Sequence, residues 1–330
     1  MTELADSNER EVTSGRRRPL LLTPREDFVG YVAGHAGRAA LFLVTATSVL
    51  AVLLIFVFIA REAVGFFASA DAVSRLWDLL AGRAWYPEGE PAEFGGLSLI
   101  VGSLYVSGGG LLLAVPVGLL AAACLSDMLP FSVKQVAKPV VEILAAIPSV
   151  AYGFFAVLVL APMMQEFLHL STGTNALNAA VILAVMAVPT IVSVSEDALA
   201  AVGRDLREAS YACGATRAET MLTVVMPAAH NGLIAAVILG MMRAVGETMV
   251  VWMASGNAAR IPAPWWDLTQ SVRTLTATIA GEMGETVQGS PHYQALFALG
   301  LGLLVFTFIL NLVTEHFLHR IRRAGGGSTR

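Results

Sequence analysis

Residues 232–253 read GLIAAVILGMMRAVGETMVVWM, an apolar run interrupted only by Arg243, Glu247 and Thr248. About 20 such residues suffice to cross the ~30 Å hydrocarbon core of a bilayer as a helix. At about 1.5 Å per residue, Arg243 falls roughly 16 Å from Gly232, near the bilayer midplane. A charge there costs roughly 2.5–3.5 kcal/mol on insertion scales, so it is expected to face a protein interior or a wet cavity. Arginine offers five donors in a planar fork, which suits an oxyanion such as phosphate. Residues four apart share a helix face, so Arg243 and Glu247 are expected to pair. Two readings stand open: an inert buried pair that fixes helix packing, or a gated anion site. In the second, Arg243 attracts the anion and Thr248 adds a hydroxyl donor. Glu247 neutralises the arginine in an empty pathway and keeps occupancy brief, as conduction requires. Gly240 and Ala244 let a neighbouring helix approach closely.

The rest of the chain has the same character. Of 330 residues, 56% are hydrophobic and 14% charged, against about 25% charged in soluble domains. An all-α, polytopic membrane protein is expected, with six spans near 39–60, 98–123, 140–160, 176–195, 232–253 and 295–314. Pro116, Pro148 and Pro189 should disturb the second, third and fourth of these. Arg243 and Glu247 are the only formal charges deep inside any of them.

Lys and Arg set the orientation. With both termini inside, fifteen of the 21 fall in cytoplasmic segments, among them Lys134, Lys138, Arg204 and Arg207, and five fall outside. The expected domains are a cytoplasmic tail over 1–38, a permease domain over 39–320 and a disordered cytoplasmic tail over 321–330. The first tail shows no signal-peptide pattern and can end in a short interfacial helix near Arg25–His35. Outer loops are expected at about 61–97 and 254–294. The first carries a short helix near Asp71–Leu80 and belt aromatics including Trp77, Trp85 and Tyr86. The second has helical spacing over Leu275–Glu285, with Glu282 and Glu285 on a solvated face or against a binding protein. Cys124 and Cys213 are expected to be reduced, small buried residues. Glu142, Glu196 and Asp197 lie at cytoplasmic ends, where charge is unremarkable, and His316 and His319 suit an interface.

The cytoplasmic segment at about 196–231 contains Glu208-Ala209-Ser210, then Gly214, then Pro227 thirteen residues later. Small residues at 209, 210, 212 and 215 let a short helix fit a partner's groove. Gly214 permits a turn with positive φ, and Pro227 can begin a helix. This spacing resembles the EAA loop of ABC importer permeases. Ser210, Val224 and Met226 are mild departures from that pattern. The stretches IPSVAYGFF (147–155), MAVPTIVSVSEDA (186–198), RAVGETM (243–249), TLTATIA (274–280) and PHYQALF (291–297) are similar to the phosphate-specific importer permease of the PstC type. The resemblance covers about 94–317.

It implies the binding-protein-dependent ABC importer permease fold in the inner (plasma) membrane, surrounded by lipid. It also implies a heterodimer with a second permease subunit, a cytoplasmic ATP-binding-cassette ATPase dimer and an extracytoplasmic phosphate-binding protein. Glu208, Ala209, Ser210, Gly214 and Pro227 would couple to the ATPase, and Arg243, Glu247 and Thr248 would line the pathway. The alternatives are the sister subunit, a permease for another oxyanion, or a stand-alone ion-coupled transporter or channel. Neither lysine sits in a G-x-x-x-x-G-K-[ST] cradle, so ATP hydrolysis is assigned to a separate polypeptide and the chain is not expected to be an enzyme. No metal site, cofactor or nucleic-acid partner is indicated.

Overall fold

A computed structural model describes the backbone of residues 24–68 and 72–325 and the side chains of 34–68, 72–312 and 315. Residues 1–23 of the expected N-terminal tail, residues 326–330, and the side chains of His316 and His319 lie outside the described residues. The chain divides into two units, Met1–Phe58 and Ile59–Arg330.

Helix α1 (Pro24–Phe67) is continuous. Among the described residues the interfacial helix expected near Arg25–His35 is not separate but part of α1. Within the first unit every described side chain from 34 to 58 is exposed, including Leu41, Phe42, Leu54 and Phe56. A helix that is apolar all round suits solvation by lipid.

The second unit holds helices long and apolar enough to span at Leu97–Met128, Ser149–Leu168, Ala176–Ala200 and Pro291–Leu312. A fifth candidate is a pair, Arg217–Ala228 and His230–Val245, bent by 77°. The centre of the bundle is α7 (Ala176–Ala200). Its Ile191 is wedged between Gly118 on α3 (Leu97–Ala123) and Gly240 on α11 (His230–Val245). A Cβ at either glycine would stand 2.7 or 2.6 Å from Ile191, closer than atoms can pack, so these contacts require glycine. Pro116 and Pro189 sit inside unbroken helices.

The third span is shifted from the expected 140–160. Ile147 is extended (ψ 131°) before Pro148, and ends α4 (Phe131–Ala146). Proline disfavours helix at the residue before it, so the span restarts as α5 (Ser149–Phe155) and runs through a π-helical turn (Ala156–Leu160) into α6 (Ala161–Leu168). The turn leaves the Ala156 carbonyl to accept from Nδ2 of buried Asn178 at 3.1 Å.

At one end of this unit α2 (Ala72–Ala81) and a two-stranded hairpin, β1 (Trp85–Tyr86) with β2 (Glu93–Phe94), cap the bundle. Trp85 is not a belt residue. It is buried with Phe66, Leu99 and Leu296, and its Nε1 donates to Glu282 Oε2 at 2.9 Å.

The opposite end corrects another expectation. Glu196 is 2% exposed, and it pairs with the chain's only lysines, Lys134 and Lys138, each at 2.6 Å. The bond to Glu196 holds the Lys138 ammonium above its ordinary pKa, against the opposing pull of burial. Two cations on one buried anion make the cost of removal unequal. Replacing either lysine by methionine leaves Glu196 paired. Replacing both strands a buried carboxylate, at about 3 kcal/mol. The thermal midpoint of the purified protein is therefore expected to fall much further in the double variant than the two single falls added together. Additive falls would show that Glu196 does not depend on the lysines.

Candidate functional site

The fifth span does not continue as one helix from Gly232 to Met253. Helix α11 ends at Val245, Gly246 caps it, and a short α12 (Met249–Ala254) follows. Glycine and β-branched threonine are poor helix formers, and here they flank Glu247. Gly246 N still donates to Met242 O at 3.2 Å, and Glu247 N reaches Ala244 O at 3.4 Å. Trp252 N then bonds the Thr248 carbonyl at 2.9 Å, which opens the outer piece. The Glu247 carbonyl lies in the gap and accepts Thr276 Oγ1 at 2.9 Å.

The break separates the expected pair. Among the described residues no ion pair joins Arg243 to Glu247. Arg243 is exposed, Glu247 and Thr248 half-buried, and the Thr248 hydroxyl makes only a long 3.5 Å contact to Gly246 O. Among the described residues the guanidinium thus has its donor fork unengaged, next to a backbone gap. Non-helical backbone at membrane depth is tolerated only where it is covered by protein or lines a wet cavity.

Thr276 belongs to α13 (Leu275–Glu282), which packs on the outer piece: a Cβ at Gly281 would meet the Trp252 ring at 3.2–3.5 Å. The other end of α13 is held by Glu282, which is not on a solvated face. Its side chain is 17% exposed and takes Arg273 at 2.5 Å and His292 at 2.8 Å besides Trp85. Arg273 Nε in turn donates to Asn257 O at 3.1 Å. A cleft of about 760 Å³ opens beside this cluster, lined by Trp85, Arg260, Arg273, Glu285 and His292 among others. Helical spacing over 275–285 is the signal for α13; the TLTATIA stretch includes Thr276 but does not single it out.

The segment after the fourth span forms α8 (Arg204–Ala212), which has no buried residue. Glu208 and Ala209 are exposed, and Glu208 makes no hydrogen bond or ion pair among the described residues. Gly214 has φ +87°, the left-handed turn its residue type allows. Thr216 and Glu219 then form a capping box over α9 (Arg217–Thr220). Ser210 and Thr220 hydroxyls meet at 2.9 Å, closing the two short helices on each other. Pro227 lies in the first turn of α10 (Met226–Ala228). Arg207, read from sequence only as a topology charge, anchors α8. It pairs with Asp127 and donates to the Leu199 carbonyl at 2.6 Å. Cys124 and Cys213 are exposed rather than buried, one at the end of α3 and the other closing α8. Among the described residues no cluster of His, Cys, Asp and Glu could hold a metal ion.

Comparison with known proteins agrees with this architecture. The family model described as "Binding-protein-dependent transport system inner membrane component" matches residues 114–323. The Phosphate transport system permease protein PstC of Mesorhizobium japonicum is 35% identical over 297 residues, covering 84% of this chain and 89% of that one. The Probable ABC transporter permease protein YqgH of Bacillus subtilis is 39% identical over 243 residues, 74% of this chain and 78% of that one. Among solved structures, a bacterial ABC transporter involved in the import of the acidic polysaccharide alginate shares the fold. Its TM-score is 0.51 at 14% identity, over 82% of this chain and 96% of that one. With most of its length inside the family model and along these relatives, the chain belongs to the inner membrane components of binding-protein-dependent transport systems.

Proposed function

We propose that this chain is a permease subunit of an ATP-driven importer of inorganic phosphate and forms half of its transmembrane pathway. The observation that carries the proposal is Arg243, exposed and unpaired among the described residues, at the break in the fifth span, in a chain similar over most of its length to phosphate transport permeases. The family implies an ATPase and a substrate-binding protein as partners. The finer assignment is a second permease subunit as the other half, an ATPase dimer coupled through Glu208, Ala209 and Ser210 on α8, Gly214 in the turn after it and Pro227 in α10, and a pathway lined by Arg243, Glu247 and Thr248.

Co-expressed with the second permease, the ATPase and the binding protein, this chain should form a complex that takes up labelled phosphate into vesicles only with ATP and binding protein present. Excess sulfate should not compete. Competition by another oxyanion would reassign the substrate, and uptake by this chain alone would assign it to the stand-alone carriers.

The Lys and Arg distribution supports both termini in the cytoplasm. In a background lacking Cys124 and Cys213, single cysteines at exposed Ser171 and Val287 should react with impermeant reagents from outside. Cysteines at exposed Ser132 and Ala218 should not. The reverse pattern would overturn this orientation.

A further inference from the structure

A helix running unbroken through residues 232–253 would bond the Glu247 carbonyl to the Val251 amide and set Arg243 one turn below Glu247, where the two can pair. The structure holds a different arrangement. The outer piece opens one residue later, on the Thr248 carbonyl, and the Glu247 carbonyl takes the Thr276 hydroxyl at 2.9 Å. A carbonyl left out of a helix at membrane depth needs a donor, and Thr276 supplies it from another element. That element is fixed at both ends. At its start, Leu275 N donates to Ser103 Oγ of α3 at 2.9 Å, and at its finish Glu282 bonds Arg273, His292 and Trp85. Thr276 is thus tied to the hairpin end of the bundle as well as to the span it contacts.

We propose that Thr276 is a positioning residue that latches the fifth span in its broken form, and that the unbroken helix with Arg243 paired to Glu247 is the alternative state. This rests on the reading of Arg243 as the anion site. In the latched state the guanidinium is free for an anion. When the latch opens, the backbone bond from Val251 replaces the hydroxyl bond, Glu247 turns onto the face of Arg243, and the fork is neutralised. The two states exchange one hydrogen bond for another at Glu247, so neither leaves a buried carbonyl unmet. Movement of α13 against the bundle, the kind of displacement a docking partner at the hairpin end can impose, selects between them.

The test uses the assembled transporter in proteoliposomes, in a background lacking Cys124 and Cys213. Spin labels go at Leu239 on α11 and at Val287 beyond α13, exposed by 46% and 77%. Thr276→Val removes the donor at similar shape and should shift the distance distribution; Thr276→Ser keeps the donor and should not. The initial rate of phosphate uptake should fall about fivefold in Thr276→Val, the factor one net hydrogen bond supplies, and recover in Thr276→Ser. The fall should vanish in a Glu247→Gln background, where no ion pair rewards the unbroken helix. An unchanged distribution in Thr276→Val, or an equal fall in both backgrounds, overturns the latch. Arg243→Gln, measured alongside, addresses the site itself. Normal uptake there with a shifted distribution in Thr276→Val would remove the anion site and leave the latch.

Discussion

Arg243→Gln is expected to reduce phosphate uptake by roughly ten- to a hundredfold, the range set by losing hydrogen bonds from a charged group. Complex yield should be little changed. Arg243 is exposed and makes no bond among the described residues, so its removal strands no partner within the chain. That distinguishes it from Glu196, whose buried carboxylate depends on its lysines. Arg243→Lys should retain partial function at best, because an ammonium keeps the charge but loses the bidentate fork. Glu247→Gln should act differently. It removes the group that neutralises Arg243 in the paired state, so anion binding should tighten and release should slow. Uptake measured beside complex yield separates these outcomes. If Arg243→Met with Glu247→Leu transports normally while the single variants fail only by misassembly, the two residues serve packing and the site assignment is wrong.

The sequence and the structure agree where the signal is local. Gly214 adopts the positive φ that its residue type and the spacing after Glu208 suggested, and Pro227 lies at the start of a helix. Long apolar runs marked the spans because lipid solvation depends on composition. The same criterion fails at two places where a span is interrupted. Apolar residues run up to Ile147-Pro148 and on beyond it, and stand on both sides of Gly246–Thr248, although the helix does not continue across either. Proline's effect on its predecessor relocated the third span, and a glycine next to poor helix formers let the fifth one break. Tertiary bonds were beyond reach. Trp85 and Glu282 meet across 197 residues, so Trp85 read as a belt aromatic and Glu282 as a solvated acid. Glu196 looked unremarkable because its lysines lie about 60 residues away, on a helix whose packing no local pattern reports.

Replacing Gly214 should uncouple the transporter in a graded way. Its backbone sits at φ +87° and a Cβ there would meet nothing within 4 Å, so within the chain the effect is backbone strain rather than crowding. Asparagine tolerates left-handed φ, alanine pays about 1 kcal/mol there, and a β-branched chain more. Uptake should therefore decline from Gly214→Asn through Gly214→Ala to Gly214→Val, with the last near background. The turn joins α8, which exposes Glu208 and Ala209 and buries nothing, to α9, which leads through Pro227 into the fifth span. Distorting it changes the angle between the docking helix and the span while leaving the membrane core intact. ATP hydrolysis should persist without proportionate uptake, and Glu208→Lys should resemble Gly214→Val because it reverses a charge on the exposed face. The measurement is the ratio of phosphate taken up to ATP hydrolysed, in complexes of matched yield. A normal ratio in a well-expressed Gly214→Val protein would show that this turn carries no force between the ATPase and the pathway.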